Sequence, residues 1–210
     1  MTKGKSNLFL ITPSLLNSWG YIWTCREAVR ESEDDQISIE DKRDLASEKA
    51  MQEFLKTLRR EPIPDNEYMQ RGREYEDATY RGETRASPYV EGGQFQISGT
   101  KKVVVGGIGF LMYGRLDCLK GGVIYDIKRV SRYAPQKYRR SYQHGFYLEL
   151  FPNAYEFDYL VDDGNALHTE TYFREQCVPT EKAIADFVRW LRAENLLDLY
   201  FEKWEARNDK

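Results

Sequence analysis

Residues 114–128 read GRLDCLKGGVIYDIK, in which the β-branched and aromatic residues of VIYDI follow two glycines. Such residues favour extended backbone. The pair Gly121-Gly122 suits a two-residue hairpin turn, since both central residues of that turn adopt positive φ. Lys120 is then paired with Val123, and the register of the hairpin runs outward from that pair. The stretch therefore predicts two antiparallel strands and indicates which residues face each other.

The predicted register brings charged side chains together on one face of the hairpin. Asp117 lies opposite Asp126, and Lys128 shares their face because side chains alternate along a strand. Two carboxylates at opposed positions, with Cβ atoms about 5 Å apart, repel each other. A hard divalent cation would relieve that repulsion, because it prefers carboxylate oxygens. The alternative is a cross-strand ion pair between Asp117 and Lys128, with Asp126 in solvent.

Elements on both sides of this hairpin indicate an α/β chain. The core consists of three strands, one helix and two further strands, predicted at residues 94–105, 108–119, 123–130, 135–150, 155–161 and 166–173. Helices are predicted outside that core, beginning at Pro13, after Ser38, after Asp65 or Asn66 and after Thr180. No repeat or linker is evident, so we expect a single domain with a helical part (1–65), a core (66–175) and C-terminal helices (176–210).

Composition excludes several classes of protein. The chain has 210 residues, of which 41% are hydrophobic and 31% are charged, which is typical of a soluble globular protein. The apolar run near the N-terminus is too short to span a membrane, and we expect a cytoplasmic protein of bacterial or phage origin without a membrane partner. Cys25, Cys118 and Cys177 lack the spacing of a zinc site or a disulfide framework.

Only two histidines are present, His144 and His168, so nucleophilic mechanisms with a histidine base have almost no candidates. We interpret His144 as a helix-surface residue and His168 as a strand-surface residue. The four tryptophans fall at amphipathic spacing in terminal helices and are assigned to the core.

A basic run follows the hairpin, although the net charge of the chain is −3. Residues 127–148 contain no acidic residue, and tyrosines are interleaved with the basic groups. Such a mixture suits a nucleic-acid groove, since cations contact phosphates and aromatic rings stack on bases. A solvated helix face is the alternative. The residues expected to bind nucleic acid are Arg115, Arg129, Arg132, Lys137, Arg139 and Arg140.

Two further motifs flank the hairpin in the sequence. Residues 71–76 read RGREYE on a predicted helix, a G-x-x-x-E pattern that ends at Glu76. Residues 143–147 read QHGFY, a Q-x-x-x-Y pattern whose ends, Gln143 and Tyr147, lie on one face of a helix. Each pattern is common by itself, and the order of the motifs around D-x(8)-D-x-K makes them specific.

In this order the motifs resemble the core of the PD-(D/E)XK nuclease superfamily, in particular its RecB-like and lambda-exonuclease-like branches. The resemblance spans about residues 69–173. It implies a restriction-endonuclease-like core, with a mixed β-sheet of about five strands flanked by helices and extra N-terminal helices. The catalytic residues that it implies are Glu76, Asp117, Asp126, Lys128, Gln143 and Tyr147, the first three as metal ligands. Glu74 and Tyr80 are alternatives for the helix position, although Glu76 fits the glycine spacing best.

The resemblance also implies an activity. We expect a deoxyribonuclease, an exonuclease in DNA recombination and repair, that uses one or two Mg²⁺ or Mn²⁺ ions. DNA is the expected partner, together with a recombination or helicase partner or further copies of this chain. Some relatives hold an iron–sulfur cluster through four cysteines, and Cys25 and Cys177 cannot supply that set, so no cluster is expected. The alternatives are a noncatalytic nucleic-acid-binding or assembly protein that keeps the fold, and a phosphodiesterase acting on small nucleotides.

Overall fold

One six-stranded sheet organises the fold in the computed structural model, which describes residues 7–29 and 37–206. The strands are β1 (Leu8–Ile11), β2 (Gln94–Val105), β3 (Ile108–Lys120), β4 (Val123–Arg129), β5 (Glu156–Asp162) and β6 (Leu167–Phe173). β1 runs parallel to β3 and β4 runs parallel to β5, whereas β2–β3, β3–β4 and β5–β6 are antiparallel pairs. The predicted mixed α/β fold is confirmed, with six strands where about five were expected.

Seven α-helices lie in the described part of the chain: α1 (Pro13–Ala28), α2 (Ile39–Leu58), α3 (Glu67–Tyr80), α4 (Ser87–Val90), α5 (Gln143–Leu150), α6 (Thr180–Ala193) and α7 (Leu197–Trp204). Thr12, Ser38 and Asn66 cap α1, α2 and α3, because each side-chain oxygen accepts a backbone N–H of the first turn. The predicted cap at Thr180 is wrong, since α6 begins at that residue and Pro179 precedes it. Within these helices, none combines the length and the apolar character that a membrane span requires.

Helices pack on both faces of the sheet. The larger core joins the inward faces of α1, α2, α5 and α6 to one face, around fully buried residues such as Phe54, Phe146 and Phe187. A smaller cluster on the other face packs Ile127 and Leu160 against the α3–α4 segment. The predicted alternation in β4 is therefore confirmed, with Ile127 in the smaller cluster and Asp126 directed toward the larger one.

Two sequence predictions about local structure are wrong, and one strand was not predicted. The helix predicted over residues 135–150 begins only at Gln143, and residues 130–142 form turns that precede it. His144 is 3% exposed because its ring stacks on Tyr172 and lies 3.2 Å from the hydroxyl of Tyr159. β1 was not predicted, since four residues carry too little alternation to show a strand.

Candidate active site

The edge of β3 that faces away from β2 is shared by two strands. β1 pairs with residues 109–112 of β3, and β4 pairs with residues 118–120. β2 follows β3 on its opposite edge along nearly its whole length, so residues 113–117 have no strand partner on the shared edge. The sheet is thus split at the middle of β3, and side chains can reach into the split.

Asp117 lies at one end of this split. The predicted pairing of Lys120 with Val123 is confirmed, and Gly121 and Gly122 adopt φ of 59° and 85°. The ladder ends one pair before Asp117, however, and the carboxylate Oδ2 of Asp117 accepts the backbone N–H of Ile127 at 2.8 Å. A side chain thus takes the place of the next ladder bond, and the two strands separate there.

The charge of Asp117 is poorly compensated by protein groups. Burial and the neighbouring Asp126 raise the pKa of Asp117 to about 8, with a smaller contribution from Glu76. Lys128 and the N–H of Ile127 act in the opposite direction without cancelling that rise. A carboxylate held in this state is an acceptor for a cation, and such perturbed groups are enriched at functional sites.

Asp126 and Lys128 form a close ion pair beside Asp117. Asp126 is 4% exposed, and its Oδ2 lies 2.6 Å from the Nζ of Lys128. Burial by itself lowers the pKa of Lys128, but the charges of Asp126 and Asp117 outweigh that effect and raise the pKa above its ordinary value. Lys128 is therefore a fixed cation at the carboxylate pair.

The helix α5 supplies two side chains to the same place. The amide Nε2 of Gln143 donates to Oδ1 of Asp126, and the hydroxyl of Tyr147 donates to the backbone oxygen of Arg115 at 2.7 Å. The second bond satisfies a carbonyl on the unpaired edge of β3. Gln143 and Tyr147 thus lie on one helix face, as the sequence predicted, and both line the split.

Glu76 reaches the site from α3 on the other side of the sheet. The hydroxyl of Tyr80 and the amide of Gln96 both donate to Oε1 of Glu76. Gln96 also donates to the hydroxyl of Tyr80 at 3.0 Å, and that hydroxyl lies 3.3 Å from the backbone oxygen of Asp117. Glu76 is therefore held next to Asp117 by two neighbours.

Gln96 is a site residue that sequence reasoning missed. It has φ of 54°, in the left-handed region that few residues other than glycine adopt without strain. Pairing between β2 and β3 is interrupted at this residue, between Phe95–Cys118 and Ile97–Leu116, so that Gln96 stands across from Asp117. Strained backbone of this kind clusters at functional sites. No local sequence signal marks it, because the strain depends on the contact with α3.

Two contacts anchor α3 and the segment that follows it to the sheet. The hydroxyl of Tyr75 donates to Oδ2 of Asp162 at 2.8 Å, and Arg85 lies 3.3 Å from the same oxygen. Asp162 also accepts from Arg129 and from the backbone N–H of Gly164. Because Tyr75 and Glu76 are consecutive, this cluster also fixes the position of Glu76.

A cleft of about 710 Å³ opens from the split in the sheet. Its lining includes Arg115, Gln143 and Tyr147, together with Pro13 and Ser14 in the first turn of α1. Among these residues, the exposed Arg115 adds a positive charge. The cleft adjoins the split through Arg115, Gln143 and Tyr147, and the carboxylates themselves do not line it.

The six basic residues expected at a nucleic-acid surface fall into two groups. Arg129 is bonded to the carboxylate and the backbone oxygen of Asp162, and Arg140 forms an ion pair with Glu27, so these two have structural partners. The other four are exposed and form no ion pair with any residue in the described ranges: Arg115, Arg132, Lys137 and Arg139.

The residues at the split fit a hard divalent cation by their chemistry. Glu76, Asp117 and Asp126 offer carboxylate oxygens, and the raised pKa of Asp117 indicates unbalanced negative charge. In the conformation described, each carboxylate is engaged by a protein group. Among residues 7–29 and 37–206, no three acidic, histidine or cysteine side chains form a ready metal-binding cluster. A cation would therefore have to displace some of the present contacts.

Comparisons with known proteins leave the family open. No protein-family model matches the sequence, and a search of curated proteins finds no match. The chain is similar to the crystal structure of SSO0001, with 14% identity and a TM-score of 0.48 over 95% of this chain and 79% of that one. It is also similar to the crystal structure of Rai1 from Scheffersomyces stipitis, with 16% identity and a TM-score of 0.36 over 89% of this chain and 62% of that one. Neither likeness carries an argument about function.

Proposed function

We propose that this chain is a metal-dependent nuclease that hydrolyses phosphodiester bonds of DNA, acting as an exonuclease. The observation that carries the proposal is the meeting of Glu76, Asp117, Asp126 and Lys128 at the split in the edge of β3. Three carboxylates come from both faces of the sheet, and one lysine lies 2.6 Å from the most buried of them. Such a set serves phosphoryl transfer, in which charge must be held close to the reacting phosphate.

Glu76, Asp117 and Asp126 would hold Mg²⁺ or Mn²⁺. When bound, such an ion neutralises charge on the phosphate oxygens and makes water more acidic. The pKa of Asp117 would fall with an ion beside it, since a nearby cation favours the charged carboxylate. The excess negative charge of the metal-free site is thus a reason for affinity.

In this proposal, Lys128 positions the attacking water. Its ammonium group remains charged, because its pKa is raised by Asp126 and Asp117, and it can donate hydrogen bonds to a water molecule at the carboxylates. Gln143 keeps Asp126 in one orientation through its amide, while Tyr80 and Gln96 do the same for Glu76. The site is therefore preorganised by its neighbours.

Substrate approach is assigned to the cleft beside the split. Arg115 offers positive charge to the phosphates, and the exposed residues Arg132, Lys137 and Arg139 add further positive charge in the segment before α5. The net charge of the chain is −3, so nucleic acid is expected to bind through this local surface alone.

A noncatalytic nucleic-acid-binding protein is the second candidate. The observation that favours it is the state of the carboxylates, since Asp126 is paired with Lys128 and Glu76 is bonded to Tyr80 and Gln96. A scaffold that binds nucleic acid without cutting would keep such pairs permanently. A nuclease would exchange the contact between Asp126 and Lys128 for the cation and keep the bonds of Tyr80 and Gln96 that orient Glu76.

The deciding experiment is incubation of the purified chain with Mn²⁺ and end-labelled linear or circular DNA. The proposal predicts degradation of linear DNA in Mn²⁺ and none in EDTA, with covalently closed circles resistant to an exonuclease. Digestion of circular DNA would show that the chain acts as an endonuclease and not as an exonuclease. Binding to DNA without cleavage in Mn²⁺ or Mg²⁺ would favour the second candidate, and a parallel RNA substrate would show the specificity for the sugar.

A further inference from the structure

A second cavity, of about 470 Å³, lies beside the strand β6 and outside the site described above. Its lining includes Tyr133, Pro135, Arg139, Glu170 and Tyr172. The volume is within the range of roughly 300–1,000 Å³ that small-molecule sites occupy. Two aromatic rings, one cation and one carboxylate thus share a space that can hold a planar polar ligand.

Glu170 is the unusual residue of this cavity. It is 8% exposed, and one of its carboxylate oxygens, Oε2, accepts the hydroxyl of Tyr172 at 2.9 Å. The other oxygen, Oε1, is buried and has no donor at ordinary hydrogen-bond geometry in the described part of the chain, although the hydroxyl of Tyr133 lies close enough to the carboxylate that burial and this contact raise the pKa of Tyr133. A buried acceptor without a donor is costly, and most native structures avoid it. Glu170 therefore has an acceptor beside the cavity that Tyr133 approaches but does not bond at ordinary geometry.

The rings on either side of Glu170 are differently secured. Tyr172 lies on β6 and stacks on the buried His144 at 4.2 Å, so it is a fixed wall. Tyr133 stacks on His168 at 4.0 Å, but it belongs to residues 130–142, which contain no helix or strand. A displacement of Tyr133 would open Oε1 to a ligand without changing the sheet.

The cavity is aligned with the candidate active site. Asp126 on β4 is the register partner of Tyr159 on β5, and Tyr159 is the partner of Glu170 on β6. The three side chains therefore share one face of the sheet, and Asp126 and Glu170 stand about 10 Å apart, two interstrand spacings. Tyr138 stacks on Tyr159 at 4.4 Å between them. A nucleotide next to the reacting phosphate could reach the cavity over this distance.

We propose that the cavity of Tyr133, Arg139, Glu170 and Tyr172 binds one unpaired nucleobase of the nucleic-acid strand, and that it selects guanine. The assignment of the strand rests on the proposed function, whereas the selection of the base rests on the cavity alone. The tyrosine rings supply faces for stacking, which every base accepts. Selection must then come from the polar groups.

Guanine is selected by the order of its donors and acceptors. A carboxylate accepts only, and guanine offers it two adjacent donors, the N1–H and the 2-amino group. Arg139 can donate to O6, an acceptor to which arginine commonly binds. Uracil and thymine place carbonyl oxygens on both sides of their single N–H, and adenine and cytosine place an acceptor next to their amino group, so each sets an acceptor against Glu170.

The test measures binding of GMP and UMP to the full chain by titration calorimetry in EDTA, where no cleavage occurs. Both ligands carry the same phosphate, so the ratio of their affinities reports the base. GMP is expected to bind at least about tenfold more tightly than UMP, as a hydrogen bond to a charged group allows. Glu170→Gln should reduce that ratio about tenfold, and Tyr133→Leu should weaken both ligands alike.

Glu175→Gln is the matched control, since Glu175 is exposed beyond the end of β6 and the substitution makes the same change of charge. If Glu170→Gln does not fold, Arg139→Leu at an exposed position replaces it and should weaken GMP selectively. Equal affinity of the parent for GMP and UMP, or selectivity unchanged by these variants, overturns the proposal.

These outcomes are separate from those of the proposed function. A chain that selects GMP in EDTA but cuts no nucleic acid in Mn²⁺ would overturn the nuclease and keep the cavity. A chain that cuts DNA and binds GMP and UMP alike would overturn the cavity alone.

Discussion

Asp117 accepts the backbone N–H of Ile127 through its side chain, at 2.8 Å, where the strands β3 and β4 separate. The bond replaces one rung of the sheet, and it directs the carboxylate of Asp117 into the split beside Asp126. Because the ladder stops there, the edge of β3 stays open to Gln143 and Tyr147. One hydrogen bond thus connects the end of strand pairing with the assembly of the site.

The first prediction concerns the free energy of unfolding without metal. The pKa of Asp117 is raised from 3.8 to about 8 in the folded chain, so its contribution to stability is most favourable below pH 4 and is lost as the pH rises toward 8. Asp117→Asn removes this loss and can still accept the N–H of Ile127. In EDTA at pH 8.5, its melting temperature should exceed that of the parent by at least about 2 °C, the shift that 1 kcal/mol gives in a domain of this size.

The difference in melting temperature between Asp117→Asn and the parent should shrink at pH 4.5. At pH 8.5, Mn²⁺ should make the parent the more stable of the two, because only the parent gains stability by binding the ion. Asp77→Asn, at an exposed position of α3, is the control. A variant that is less stable than the parent at every pH in EDTA would show that the charge of Asp117 is already compensated.

The second prediction separates the role of Lys128 from that of Asp126. Lys128→Ala should reduce the rate of DNA cleavage at saturating Mn²⁺ by at least about 100-fold, the usual contribution of a group that handles a proton of the nucleophile. Its affinity for Mn²⁺ should remain, since the lysine is not a ligand. Asp126→Asn should lose both rate and metal affinity.

Lys102→Ala, at an exposed position of β2, should behave like the parent. If Lys128 is only an ion-pair partner, Lys128→Ala loses at most about 1 kcal/mol of stability and cleaves at a near-normal rate. That result would contradict the proposed nuclease mechanism.

The third prediction concerns the support of Glu76. Tyr80→Phe removes the hydroxyl that donates to Glu76 and keeps the ring that packs on Phe95 at 4.4 Å. Because groups that orient a metal ligand contribute about 10–100-fold to affinity or activity, Mn²⁺ affinity measured by calorimetry should fall by at least about tenfold. Tyr89→Phe, at an exposed ring, is the control. Unchanged affinity would mean that Tyr80 serves folding alone.

The fourth prediction concerns the positive surface before α5. Replacing Arg132 and Lys137 by glutamine should flatten the plot of log affinity for single-stranded DNA against log salt by about 1.4, since each phosphate contact contributes about 0.7. Lys56→Gln with Lys182→Gln makes the same change of charge on α2 and α6 and should leave the slope unaltered. If the slope of log affinity against log salt is the same in both double variants, DNA binds elsewhere on the surface.

Much of the candidate site could be predicted from local sequence. Gly121-Gly122 sets the turn, and the turn sets the register that brings Asp117, Asp126 and Lys128 together. The spacing of Gln143 and Tyr147 likewise determines that they share a helix face. These relationships extend over a few residues, and the geometry of one hairpin or one helical turn is sufficient to fix them.

The irregular part of the site could not be predicted in this way. The helix before Gln143 is replaced by turns in which Tyr138 stacks on Tyr159, a contact between different elements that local propensity does not reveal. Arg129 looked like a phosphate ligand in the sequence, but the fold pairs it with Asp162, 33 residues later. His144 is buried for a similar reason, because β6 supplies the ring of Tyr172 that covers it.

The sequence by itself determined the residues of the candidate site: the carboxylates, the lysine, and the hairpin that places them on one face. Only the tertiary structure decided how that face is opened. β1 and β4 share one edge of β3, Gln96 is held at φ of 54° against Glu76, and Glu170 is aligned with Asp126 through β5. Each of these depends on contacts between segments far apart in the chain, whose free energy is gained only when the whole sheet and its helices assemble.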